Sequence, residues 1–335
     1  MASEPAEHPG GARMSSKAVI WLGASTRQMM ESKANYRRRK LTDRLMMAIS
    51  VLFSLAALAI LFWIIAYVVI KGWQYLNLDF FIHLPRPLGM PGGGVLNAIE
   101  GTIILTILAS VFAVIPGILA AYYVAYRPNT PLGVAVRFGT DVLSGVPSII
   151  LGLFCYTIIV KVQGHYSALA GSVALAILML PTVIRTTEEM IKLVPQSMRE
   201  GSLALGAPEW KTALSVSLPA ASQGIITGIL LGIARASGET APLLFTALGN
   251  DHYEIGKIIQ SGIANHQGLL VIMGNIVNQP VDSLPLTLWK YAQQPYPERI
   301  NQSWAAALVL MTFVLSINII TRIWVQRRAK RMQVK

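Results

Sequence analysis

Residues 45–70 read LMMAISVLFSLAALAILFWIIAYVVI, 26 positions without a charge. A helix of that length reaches about 39 Å, enough to cross a bilayer with some tilt, and water-soluble domains do not carry such runs. Comparable stretches recur at 101–126, 142–160, 166–184 and 300–321, and a sixth, 222–248, is interrupted only by Arg235 and Glu239. Composition agrees. Of 335 residues 53% are hydrophobic and 13% charged, against about 25% charged in ordinary soluble domains. The reading is an all-α polytopic membrane protein with six transmembrane helices.

A formal net charge of +12 would make nucleic acid the first suspect in a soluble protein. Here Lys and Arg crowd the ends of the apolar runs, so no nucleic-acid partner is expected and the charge encodes topology. Residues 1–44 hold nine basic residues and 322–335 hold six. With the 127–137 and 185–221 loops, 21 fall on one side, against six in 71–99, 161–167 and 249–302. The positive-inside rule puts both termini in the cytoplasm. The long stretch ahead of the first run makes that run a retained helix and not a cleaved leader. Residues 1–36 read as a mobile tail. The cluster Arg37-Arg38-Arg39-Lys40 marks the cytoplasmic stop of the first helix, with membrane lipid headgroups as a further partner. The one cysteine, Cys155, lies in an apolar run and reads as a packing residue.

Sites for covalent chemistry are missing from the sequence. There is no G-x-x-x-x-G-K-[ST] motif; Gly256-Lys257 lacks its first glycine and its hydroxyl residue. His8, His83, His165, His252 and His266 are scattered without H-E-x-x-H spacing, and no G-x-S-x-G occurs. Gly92-Gly93-Gly94 reads as a flexible entry to the second helix. The chain is therefore expected not to be an enzyme.

The cytoplasmic loop 185–221 is more patterned than a connector requires. Thr186-Thr187-Glu188-Glu189 would cap a short helix stopping at Pro195, and Ser197 to Leu205 would form a second, with Gly206 as its left-handed stop. Trp210 and Pro219 then lead back to the membrane. Glu200-Gly201-Ser202, three residues, Gly206, nine residues, Val216-x-Leu218-Pro219 resembles the E-A-A-x3-G-x9-I-x-L-P loop of ABC importer permeases, with two small residues replacing the alanines. The 145–153 (GVPSIILGL), 180–189 (LPTVIRTTEE), 234–243 (ARASGETAPL) and 282–295 (DSLPLTLWKYAQQP) segments resemble the PstA family of phosphate-specific importer permeases, so that the likeness covers residues 90–322.

That resemblance implies a type I ABC importer permease fold with a cytoplasmic coupling helix, in a bacterial inner membrane. The tail would be 1–44, the first transmembrane helix 45–70, and the importer domain 96–325, with its coupling loop at 185–221 and periplasmic loop at 249–302. Glu200, Gly201, Ser202, Gly206, Leu218 and Pro219 would contact the ATPase. The implied partners are a second, PstC-like permease, a PstB-like ATP-binding dimer, a PstS-like periplasmic phosphate-binding protein, and inorganic phosphate. No cofactor is expected on this chain, ATP and Mg being held by the ATPase. The alternatives are a permease for another oxyanion and an ion-coupled secondary transporter, which would show internal repeats and need no docking loop.

Arg235 and Glu239 stand out as intramembrane charges, each costing at least about 2.5–3.5 kcal/mol on insertion scales. One turn apart on one helix, they would share a face. Either they form a self-contained pair that pins the helix, or Arg235 offers a cationic stop for an anion crossing the pathway, with Glu239 limiting its grip. Asp141 is expected to pair with Arg137, and Glu100 to favour the start of the second helix. The apolar stretch around Leu284, Leu286, Leu288, Trp289 and Tyr291 would lie flat at the membrane interface, or help to receive the binding protein.

Overall fold

The computed structural model describes residues 16–87, 90 and 92–333. It resolves into two compact units, Met1–Ala66 and Tyr67–Lys335. Among the described residues the regular structure is helical apart from one bridge between Leu248 and Val281. Helix α1 is Ser16–Trp73. This corrects the mobile tail expected for 1–36: residues 1–15 lie outside the described residues, and 16–36 continue the helix. That segment holds no proline and is rich in Ala, Met, Lys and Arg, so extending an existing helix into it is cheap.

Next come α2, Leu78–Ile82, and α3, Leu96–Tyr126. The glycine run between them is a close-packing device and not a flexible entry. A Cβ on Gly94 would lie 2.5 Å from the carbonyl oxygens of both Phe80 and His83. The expected third span, 142–160, is also corrected. Helix α4, Pro131–Gly145, meets α5, Ser148–Gln163, at 108°. Pro147 has no N–H and disfavours helical geometry at Val146, which is extended at φ −75°, ψ 130°.

Helix α6, Ala168–Lys192, runs without a break through the Thr-Thr-Glu-Glu segment, so the short capped helix expected there does not exist. Thr186 donates back to the Thr182 carbonyl of its own helix, and Glu188 accepts from Arg137 of α4, so neither caps a helix start. Then follow α7, Gln196–Ala204; α8, Glu209–Ser237; and α9, Ala241–Thr246. The remaining helices are α10, Ile255–Ala264, α11, Leu269–Val277, α12, Leu284–Ala292, and α13, Pro297–Gln333. Among the described residues five helices are long and apolar enough to cross a membrane, and the bent α4–α5 pair, taken as one span, makes a sixth.

Helix α6 is the hub of the second unit, and small residues let its neighbours approach it. A Cβ on Gly117 of α3 would sit 2.8 Å from Val183 Cγ1. On α8, one at Gly224 would sit 2.0 Å from Met190 Sδ, and one at Gly228 2.0 Å from Thr186 Oγ1. Gly232 faces Met179 and Val183. Residue numbers rise along α8 as they fall along α6, so the two helices run antiparallel. Helix α12 does not lie free at an interface as expected: Leu284 and Tyr291 are buried with Phe80, Ala98 and Ala305, and Leu286 is buried as well.

Candidate functional site

Helix α7 follows the end of α6 across Pro195, and it stops where the sequence says it should. Gly206 has φ +81°. Its N–H donates to Leu203 O at 2.9 Å, and the Ala207 N–H donates to Ser202 O at 3.3 Å. This is the paired closure that satisfies the last carbonyls of a helix and requires a left-handed residue. Glu200 and Gly201 are exposed, and nothing lies within 4 Å of a Cβ placed on Gly201. Leu205 is 90% exposed. Ser202 points the other way, its Oγ 2.9 Å from Thr212 Oγ1 of α8.

Leu218 and Pro219 are not brought to this surface. They sit inside α8, directly after a π-helical stretch, Ala213–Ser217. Pro219 therefore does not end a loop; the wider turn before it absorbs the missing N–H bond.

Arg235 and Glu239 are not arranged as expected. Helix α8 ends at Ser237, with Gly238 as its cap, so Glu239 lies past the helix. Neither side chain makes a hydrogen bond or ion pair with any described residue. Arg235 is exposed, and its neighbour Ala236 packs with Leu105, Ala109, Ala176 and Met179, from the middle of α3 and α6. The guanidinium thus stands level with the middle of α3 and α6, without a partner among the described residues.

At the α7 end of the bundle, Asp141 pairs with Arg185 and not with Arg137. Arg137 instead donates through Nε to Glu188 at 3.0 Å, and Lys192 Nζ lies 2.5 Å from the same carboxylate. These groups line a cavity of about 240 Å³. The helix break at Pro147 turns α4 across α6 and makes these pairings, over 44 and 51 residues of sequence, possible. Glu100 accepts from the Ile255 N–H at 2.8 Å.

The opposite end holds a charge centre that sequence reasoning missed. Asp282, with its side chain 1% exposed, lies 2.5 Å from Lys290 Nζ, which also reaches Asp251 at 3.3 Å. Asp282 Oδ1 accepts from the Ser283 N–H at 3.0 Å, and Asn97 donates to Asn250 O at 3.0 Å. Burial pushes the Asp282 carboxyl up, against the opposing pull of Lys290 and the Ser283 N–H. Burial alone would lower the Lys290 ammonium, but the two carboxylates outweigh it and hold it above the usual lysine value. Asp-Ser before Leu-Pro is the one local signal, since Ser283 caps α12.

Residues 113–332 match the family described as binding-protein-dependent transport system inner membrane component. The chain is 40% identical over 299 residues to the phosphate transport system permease protein PstA of Yersinia pestis, covering 88% of this chain and 94% of that protein. It is 41% identical over 286 residues to the PstA of Xylella fastidiosa strain Temecula1, covering 85% and 92%. In fold it is similar to a chain of the inward-facing MetNI methionine ABC transporter, with a TM-score of 0.52 at 16% identity over 70% of this chain and 95% of that one. An all-α importer permease architecture is what these likenesses share with the helices described above. The chain belongs to the binding-protein-dependent transport permease family.

Proposed function

We propose that this chain is the permease subunit of an ATP-driven importer of inorganic phosphate, working beside a second permease, a separate ATPase dimer and an external phosphate-binding protein. The observation that carries the substrate is the 40% identity, over 88% of the chain, to a phosphate permease. The 21-to-6 split of basic residues supports cytoplasmic termini, which puts α7 on the cytoplasmic side. There Glu200, Gly201 and Gly206, with exposed Leu205, form the ATPase contact, while Ser202 braces α7 against α8 and Leu218 and Pro219 follow the π-helical stretch inside α8. ATP and Mg stay on the ATPase.

Arg235 is the residue for the anion. An unpaired guanidinium at mid-depth is stable only beside water, a partner subunit or an anion, and its planar fork suits two phosphate oxygens at once. Glu239, released from the helix at Gly238, tempers the local positive field. The test is labelled-phosphate uptake by the assembled transporter in vesicles, with subunit content measured on the same sample. Arg235→Met is expected to assemble normally and lose about tenfold or more of the uptake, the worth of a charged hydrogen bond, with Arg235→Lys in between. Wild-type uptake by Arg235→Met would show that the anion passes elsewhere.

A further inference from the structure

Helix α7 has a second face. Its outward side offers Glu200, Gly201 and Leu205, but Arg199 turns back into the bundle. The Arg199 guanidinium lies 4.5 Å over the ring of Tyr126, the last residue of α3, and 3.7 Å from Glu209 Oε1 at the start of α8. The other oxygen of Glu209 accepts from Arg127 Nη2 at 3.0 Å. One carboxylate therefore joins the docking helix, the end of α3 and the first turn of α8.

The grip of α3 on α8 is doubled. Tyr126 OH donates to Ser217 Oγ at 3.1 Å, so Tyr126 and the cap residue after it, Arg127, hold α8 at the end of Ala213–Ser217 and ahead of its start. That π-helical stretch is the one place in α8 where an extra residue per turn gives slack. The Arg199 cation over the Tyr126 ring face adds a second attraction between α7 and the end of α3, beside the shared carboxylate.

We propose that Glu209 and Arg199 are positioning residues that transmit a displacement of α7 to α3 and α8, with the π-helical stretch taking up the difference between them. The proposal rests on α7 being the ATPase contact. The transporter, assembled with its partner subunits in vesicles, is assayed for phosphate moved per ATP hydrolysed, alongside cross-linking from Leu205→Cys to the ATPase. Glu209→Gln is expected to keep the cross-link and hydrolysis while the transport ratio falls about tenfold, a coupling change of ordinary size. Glu209→Asp should restore most of the ratio, and Arg199→Lys, which keeps charge but not the guanidinium, should fall between.

A wild-type ratio in Glu209→Gln with the cross-link intact overturns the linkage alone. Loss of the cross-link in that variant makes Glu209 part of the docking surface and also overturns it. Absence of the cross-link in an otherwise unaltered chain overturns the docking reading and the linkage with it.

Discussion

One end of the bundle is held by a lysine shared between two carboxylates and the other by a carboxylate shared between two arginines, and the two are built for opposite purposes. At the α12 end Asp282 is 1% exposed, and its partner Lys290 is 27% exposed. At the α7 end Glu209 and Arg127 are 57% and 54% exposed. A buried pair must stay together, because separating it strands a charge in a poorly solvated site. A solvated pair can open and close at little cost. The difference gives a fixed clamp at the α12 end and an adjustable linkage at the α7 end of one helical frame.

The hardest way to break this contrast is at the clamp. Lys290→Met leaves Asp282 buried without its cation and is expected to cost about 3 kcal/mol, read as a drop in thermal unfolding temperature of the purified protein. Asp282→Asn combined with Lys290→Met should recover most of that loss, since the amide oxygen can still accept from Ser283. If the double variant is as unstable as the single one, packing and not charge holds this end.

The next test concerns the seam that joins the ends. Gly228→Leu drives a side chain into Thr186 and should cost about 1–3 kcal/mol by overpacking, visible in the same melt and unaltered by salt. The smallest effect is expected at the linkage. Arg127→Met should cost no more than about 1 kcal/mol, and the difference from wild type should vanish in about 1 M salt, where exposed charges are screened within ~3 Å. A large, salt-independent loss there would erase the distinction between the two ends.

Much of this architecture was legible in the sequence because hydropathy is a local property. The long uncharged runs gave the crossings, and the spacing from Glu200 to Gly206 gave a helix and its left-handed stop. The bend at Pro147 was equally local, but the continuous apolar pattern around it masked the proline. What was not legible is pairing. Asp141 has Arg137 one turn away and chooses Arg185 instead, because the bend carries α4 across α6. Arg235 and Glu239 looked like neighbours on one face until Gly238 ended the helix between them. Which charges meet is decided by helix packing, and periodicity does not encode it.

The bend has one more consequence, for the lipid. Helix α5 has 16 residues, Ser148–Gln163, and so reaches only about 24 Å against a hydrocarbon core of ~30 Å. It is too short to cross by itself, so α4 must supply the remaining depth, and the backbone groups freed at the break must be met by protein or water because acyl chains offer them no hydrogen bond. A crossing made of two half-length pieces cannot be anchored by its own length; it is anchored by the packing of both pieces against α6.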